Sequence, residues 1–217
     1  MRLFIALALP SDSADELDRL LTPLRPAWPG LRWTGRDAWH LTLAFLGEVD
    51  EGHLGNLTGR LGGASAHHSP LSLWLAGAGA FPARGRARVL WTGVKGDRRG
   101  LARLARSVAG VARKAGVPLA EEERRYRPHL TLARCRAPVD VRPLVEELAG
   151  FHGTPWVANE FHLIRSRLGA QPRYETLGTW RLRERSRKRR AREAGKADDS
   201  PSPGPGEGPP KGLARSA

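Results

Sequence analysis

The 217-residue sequence has a single cysteine, Cys135. One thiol cannot form a disulfide within the chain, and it cannot supply the clustered thiolates of a structural zinc site. His67 and His68 are adjacent, but no suitably spaced third ligand accompanies them, so we expect no metal ion and no cofactor. Such sparse use of cysteine fits a reducing, cytoplasmic environment.

Long apolar runs are also missing, since no stretch approaches the roughly 20 apolar residues that a membrane-spanning helix needs. The apolar run at residues 1–10 is short, and the charged segment after it contains no clear small-residue cleavage site. We interpret this run as a buried first strand rather than an export signal. The sequence therefore predicts no association with a membrane.

Acidic residues are scarce: 22 Asp and Glu stand against 36 Lys and Arg, which gives a formal net charge of +14. The segment from Arg181 to Ala217 holds eleven basic and five acidic residues, or +6, so residues 1–180 carry the remaining +8. The basic excess is therefore not confined to the end of the chain. It indicates a polyanionic partner, nucleic acid before membrane.

Composition divides the chain into two regions. Residues 1–182 contain the apolar periodic segments, and with 40% of the sequence hydrophobic the chain can build one sizeable core. Residues 183–217 are at first almost entirely charged residues and alanine, and then rich in Pro, Gly and Ser. We expect this second region to be a disordered basic tail, because it cannot bury enough apolar surface to offset its chain entropy.

Periodicity in the first region predicts interleaved strands and helices. Strands are expected at 2–9, 39–46, 71–76, 88–94, 129–133, 157–167 and 174–182, and helices at 14–21, 53–64, 98–115 and 141–149. Ser11 or Ser13 is expected to cap the first helix. Several strand pairs are joined only by loops, such as residues 77–85, which favours an α+β fold with antiparallel sheets over a parallel, Rossmann-like sheet.

One pentapeptide occurs twice. The segment His-Leu-Thr-Leu-Ala at residues 40–44 is repeated without change at residues 129–133. Alternate side chains of a strand share a face, so His40 and Thr42 should point one way while the leucines point towards a core. In a pseudo-symmetric fold, the second copy would bring His129 and Thr131 towards the first pair across a groove.

Two imidazoles and two hydroxyls in one groove suit cleavage of a phosphodiester. A neutral imidazole can take a proton from attacking water, and an imidazolium can give one to the leaving oxygen; both forms are accessible because histidine titrates near ~6.5. Threonine hydroxyls can donate to the non-bridging phosphate oxygens. We therefore predict His40 and His129 as a metal-free catalytic pair. An old duplication of a core strand is the alternative, but it leaves the matched polar positions unexplained.

The segments 40–49 and 127–134 resemble the two signature motifs of the 2H phosphoesterase superfamily. The similarity is greatest to its RNA 2′,3′-cyclic phosphodiesterase branch, historically called 2′-5′ RNA ligase. Residues 2–6, 88–94 and 163–168, together with Tyr174, support the resemblance, which covers residues 1–182. It implies a bilobal fold in which two antiparallel sheets flank a central groove and the helices lie outside.

The resemblance also implies hydrolysis of RNA 2′,3′-cyclic phosphate ends to a 2′-phosphate and a free 3′-hydroxyl, and we expect the protein to act as a monomer. His40 would be the general acid towards the 3′ oxygen, and His129 the general base on water. Phe45 would stack on the terminal base, and Arg134 would contact the phosphate. Strict alternation places these last two side chains on the wrong face, unless the strands end or bulge first.

Two other functions remain open from the sequence. Ligation of 2′,5′ ends would be the same chemistry run backwards, as a side activity. A non-catalytic RNA-binding module is the second alternative, although binding alone needs arginines and aromatics rather than two titrating imidazoles.

The other polar candidates are less specific. Arg84, Arg86 and Arg88 surround a glycine-containing loop and could hold RNA phosphates, or simply occupy an exposed edge. Cys135 is expected to be a small buried residue rather than a nucleophile. The remaining histidines have no matching partner and are expected at the surface: His53, His67, His68, His152 and His162.

Overall fold

A computed structural model describes residues 1–119, 126–167, 169 and 173–183 of the chain. Apart from Arg183, the tail predicted at residues 183–217 lies outside the described residues. No helix in the described part of the chain is both long and apolar enough to cross a membrane.

The described residues form nine strands and four α-helices. The strands are β1 (Arg2–Ala8), β2 (Leu31–Trp33), β3 (His40–Glu48), β4 (Leu71–Phe81), β5 (Ala87–Gly96), β6 (His129–Val139), β7 (Trp156–Ala158), β8 (Glu160–Arg167) and β9 (Arg173–Arg181). The helices are α1 (Ser11–Leu21), α2 (Leu54–Ser65), α3 (Arg98–Lys114) and α4 (Arg142–Glu147).

These strands form two sheets. One has the order β3-β1-β8-β9, and the other has the order β2-β6-β5-β4-β7. Every pairing between neighbouring strands is antiparallel. The structure therefore confirms the predicted α+β fold with two antiparallel sheets.

A single large hydrophobic core joins the sheets to the helices. In β1, Leu3, Ile5 and Leu7 are fully buried on one face of the strand. Helix α3 adds Leu101 and Leu104 from its apolar side, while arginines occupy its exposed side. Since burial of each such side chain contributes about 1.5–3 kcal/mol, this core fixes which face of each strand is covered. The opposite face of the β3-β1-β8-β9 sheet carries polar groups together with a second, small apolar cluster of Phe4, Ala6 and Ile164.

Several predicted boundaries are wrong. Residues 77–81 belong to β4 rather than to a loop, because Gly77 (φ +62°) lies at a register shift between β4 and β5 and Gly79 allows a close contact. Gly79 lies opposite Trp91, whose indole ring occupies the space that a side chain at Gly79 would need. The predicted strand 157–167 is two strands, broken at Asn159, whose carbonyl oxygen accepts a hydrogen bond from the Leu182 amide.

The predicted helix cap and one strand also need correction. Pro10, not a serine, occupies the N-cap of α1, and no side chain caps this helix. Proline suits the site because its fixed φ matches the extended conformation there (φ −60°). Strand β2 was not predicted, since three residues are too few to show a periodic pattern.

Candidate active site

The two copies of the repeated pentapeptide begin β3 and β6, which lie in different sheets but contact each other. In each copy the histidine and threonine are half-buried, whereas the leucine between them is completely buried. The alternation predicted from the sequence therefore holds for His40, Thr42, His129 and Thr131. All four side chains lie on the strand faces that point away from the core.

A β-bulge occurs at the same place in both copies. In β3, Thr42 lies opposite Ala6 and Ala44 opposite Ile5, which leaves Leu43 as an extra residue. In β6, Leu132 is the extra residue, between Thr131 opposite Trp91 and Ala133 opposite Leu90. The fourth and fifth residues of each copy are consequently both buried. A bulge of this kind shifts the alternation by one position.

The bulges return Phe45 and Arg134 to the polar face of their strands. Phe45 lies opposite Phe4 and packs against it, in a small cluster that also includes Tyr174. Arg134 lies opposite Val89 and is exposed. The expectation from strict alternation was therefore wrong, and the bulge that the sequence left open as an alternative is its physical reason.

Aromatic rings surround His40. Its imidazole is stacked on Phe4, with ring centroids 4.5 Å apart, and meets the edge of Tyr174 at 5.5 Å. Burial, together with the positive charge of Arg134, lowers the pKa of His40 from 6.5 to about 4. His40 is therefore neutral at pH 7 in the unliganded protein. Arg134 belongs to β6, so its effect on the pKa of His40 links the second motif to the first.

His129 is oriented by its own backbone. Its Nδ1 lies 2.7 Å from the carbonyl oxygen of Arg127. A carbonyl oxygen can only accept, so Nδ1 carries the hydrogen and, in the neutral ring, Nε2 is the basic nitrogen. The ring of Phe81 meets His129 edge-on at 5.0 Å, and Trp91 lies 6.2 Å away. These contacts fix the plane of the imidazole.

A chain of hydrogen bonds joins the two motifs. Trp39, the buried residue just before His40, donates from Nε1 to Thr34 Oγ1 at 3.2 Å. The carbonyl oxygens of Thr131 and Leu132 each lie 2.8 Å from this hydroxyl. The backbone amide of Thr34 also donates a hydrogen bond to the carbonyl oxygen of Leu132, at 2.9 Å. Thr34 thus fastens the bulge of β6 to the residue that precedes β3, a role that no sequence pattern indicated.

Two further residues on the polar face of the β3-β1-β8-β9 sheet were not predicted. The guanidinium carbon of Arg2 lies 4.8 Å from the centroid of the Phe45 ring. His162 lies opposite Ala6, and its Nδ1 is 2.9 Å from Thr179 Oγ1. Only 13% of the His162 side chain is exposed, so its predicted surface position is wrong. Alternation along β8 places His162 on the same strand face as Ile164, and this pattern could have predicted the position of His162.

The remaining candidates lie away from this constellation. Cys135 is buried, as predicted. Arg84, Arg86 and Arg88 are exposed near the connection between β4 and β5. Among the residues that the structure describes, no group of three or more His, Cys, Asp or Glu side chains could hold a metal ion.

Comparison with known proteins identifies the family. A family model described as LigT like Phosphoesterase matches residues 7–91 and 94–174. The chain belongs to the LigT-like phosphoesterase family. Each matched segment contains one copy of the repeated motif.

Named relatives are similar along most of the chain. An RNA 2′,3′-cyclic phosphodiesterase of Thermus thermophilus is 34% identical, over 84% of this chain and 91% of its own length. A second, from Geobacillus stearothermophilus, is 31% identical over 82% of this chain, which spans 56% of that relative. The crystal structure of E. coli LigT complexed with 3′-AMP superposes with a TM-score of 0.65, at 28% identity, over 84% of this chain and 98% of that one.

Proposed function

We propose that this chain hydrolyses the 2′,3′-cyclic phosphate end of RNA to a 2′-phosphate and a free 3′-hydroxyl. The observation that carries the proposal is the pair of matched, bulged strands, each presenting a histidine and a threonine on its polar face. Two imidazoles provide both proton transfers that hydrolysis of a phosphodiester requires. Relatives named RNA 2′,3′-cyclic phosphodiesterases support the choice of substrate.

His129 acts as the general base. Because its Nδ1–H is held by the Arg127 carbonyl, Nε2 takes the proton from a water molecule that attacks the phosphorus. Thr42 and Thr131 donate hydrogen bonds to the non-bridging phosphate oxygens, on which charge accumulates as the fifth bond to phosphorus forms. The bond between phosphorus and the 3′ oxygen then breaks, and the phosphate remains on the 2′ oxygen.

His40 acts as the general acid that protonates the departing 3′ oxygen. Its pKa of about 4 in the unliganded protein means that it must acquire this proton when substrate binds. A bound phosphate supplies the negative charge that favours the imidazolium, and it also offsets the positive charge of Arg134. Substrate binding and protonation of His40 are therefore coupled in this mechanism.

The surroundings of His40 suit a terminal nucleotide. Phe4, Phe45 and Tyr174 form an apolar cluster beside the imidazole, and a nucleobase can stack on such rings. Arg134 provides the cation for the phosphate, and the chain as a whole carries the basic excess expected of a protein that binds RNA. A relative crystallised with 3′-AMP supports a nucleotide as the ligand.

The test is hydrolysis of an oligonucleotide that ends in a 2′,3′-cyclic phosphate. His40→Ala and His129→Ala should each lower kcat by about 10²–10⁴-fold, the usual contribution of one proton transfer, while the variants still bind the RNA. Wild-type activity should persist in excess EDTA. Full activity in both histidine variants would contradict the assignment of the catalytic pair, and loss of activity in EDTA would contradict the metal-free mechanism.

A further inference from the structure

A pocket lies at one end of the five-stranded sheet, where the connection between β4 and β5 meets the end of β6. It is lined by Pro82, Ala83, Arg86, Arg88 and Pro138, and its volume is about 350 Å³. This volume falls within the range of small-ligand pockets, roughly 300–1,000 Å³. We call it the arginine pocket.

The positive charge at the arginine pocket is not balanced by carboxylates. Arg84 and Arg86 are exposed, and neither has an acidic partner among the residues that the structure describes. Arg88 donates to the backbone carbonyl oxygen of Arg136 at 3.0 Å, which leaves its charge uncompensated. Clustered guanidinium groups repel one another, so a polyanion is the ligand that such a surface fits.

Asp140 does not neutralise this cluster, although it follows the last residue of β6. Its carboxylate is held by the Arg142 side chain, with Arg142 Nη2 2.6 Å from Oδ2 and Arg142 Nε 3.1 Å from Oδ1. The Arg142 guanidinium is thereby paired with the Asp140 carboxylate. The charges of the arginine pocket remain available to a ligand.

Strands β4 and β5 both extend between the candidate active site and the arginine pocket. Pro82 follows Phe81, whose ring contacts the His129 imidazole. On β5, Gly93 lies opposite His129, and Arg88 comes five residues earlier, about 16 Å away at the rise of a strand. That distance is longer than one ribose-phosphate unit. A ligand that reaches both places must therefore be a chain of nucleotides.

We propose that the arginine pocket binds a nucleotide of single-stranded RNA on the 5′ side of the terminal cyclic phosphate. Arg86 and Arg88 contact the backbone phosphates, and the base packs against the prolines and a guanidinium plane. The proposal rests on the proposed function, because it makes the pocket a subsite for the same substrate. It predicts that a mononucleotide cannot use the pocket and that a longer RNA can.

The test compares two substrates: a nucleoside 2′,3′-cyclic phosphate and an oligonucleotide that ends in the same nucleotide. In wild type, kcat/KM should be higher for the oligonucleotide. The double variant Arg86→Ala/Arg88→Ala should lower the ratio of the two kcat/KM values about tenfold, mainly through KM. The matched control is Arg103→Ala/Arg106→Ala, which removes two exposed arginines from α3 and should leave the ratio unchanged.

Two further measurements protect the test against local misfolding. Arg86→Glu leaves the hydrogen bond of Arg88 in place and should still lower the ratio. The salt dependence of oligonucleotide binding should become shallower, by about one unit of slope for each arginine removed. A ratio and a salt slope that match those of the α3 control would overturn the proposal.

Failure of the proposed function would give a different result. If the wild-type chain turned over neither substrate, hydrolysis of cyclic phosphates would be refuted. Equilibrium binding of the same oligonucleotide to the pocket variants and to the α3 control would still decide whether RNA occupies the arginine pocket.

Discussion

Replacing His40 with glutamine is expected to remove a pH-dependent part of the folding stability. In the folded protein, burial and the charge of Arg134 lower the pKa of His40 to about 4, whereas in the unfolded chain the imidazole returns to 6.5. Between these two values the unfolded state binds the proton and the folded state does not. Stability is therefore lost as the pH falls through this window.

The size of the effect follows from the two pKa values. Each tenfold difference in proton affinity is worth about 1.4 kcal/mol, so the shift from 6.5 to about 4 costs about 3 kcal/mol once both states are protonated. At pH 5 the unfolded imidazole is almost fully protonated and the folded one is mostly neutral. The contribution of His40 to the loss of stability between pH 7.5 and pH 5 is then about 2 kcal/mol.

Urea denaturation of the wild type and of His40→Gln at both pH values measures this contribution. The wild type should lose about 2 kcal/mol more than the variant between pH 7.5 and pH 5, whatever the other titrating groups contribute. His67→Gln, which removes an exposed imidazole, is the control and should behave as the wild type. Equal pH dependence in wild type and His40→Gln would refute the account of a desolvated imidazole.

Three further outcomes are expected. Thr34→Val should lower the kcat for a nucleoside 2′,3′-cyclic phosphate up to about 10²-fold with little change in KM, and Thr34→Ser should restore it, because the hydroxyl bonds both to Trp39 and to the carbonyl oxygens of β6. Binding of a nucleoside 2′-phosphate at pH 7 should take up about one proton, seen as a dependence of the calorimetric heat on the buffer, and His40→Gln should abolish this uptake. Leu41→Ala should cost about 2–5 kcal/mol in urea denaturation, whereas Val157→Ala, at an exposed position, should stay within about 0.5 kcal/mol.

The four central side chains could be predicted because their signal is local. The repeated pentapeptide identifies the two strands, and alternation within each strand separates the His/Thr face from the leucine face. Neither inference needs the position of any other element. The structure confirms both for His40, Thr42, His129 and Thr131.

For residues beyond the fourth position of each motif, the strand face on which the side chain lies depends on the pairing with the neighbouring strand. A bulge is defined by two residues opposite one, so the faces of Phe45 and Arg134 are set by the pairing of β3 with β1 and of β6 with β5. A single sequence does not contain this register. Once the register is known, the two consecutive apolar residues in each motif are recognisable as the mark of the bulge.

Thr34 and Arg2 illustrate a second limit. Thr34 acts through hydrogen bonds with residues of both motifs, and Arg2 acts through a contact with Phe45 on the neighbouring strand; neither belongs to the repeat. In the segment 77–81 the glycines are visible in the sequence and predict a loop. Their role depends instead on tertiary contacts, which a sequence pattern does not show. Gly79 makes room for Trp91, which lies beside His129.

The most direct test of the central claim is the identity of the product. An RNA that ends in a 2′,3′-cyclic phosphate is incubated with the wild type, His40→Ala and His129→Ala, and the position of the phosphate is determined by phosphorus NMR. The wild type should yield only the 2′-phosphate with a free 3′-hydroxyl, and neither variant should yield product at a comparable rate. A 3′-phosphate, or an unchanged rate without either imidazole, would contradict the account.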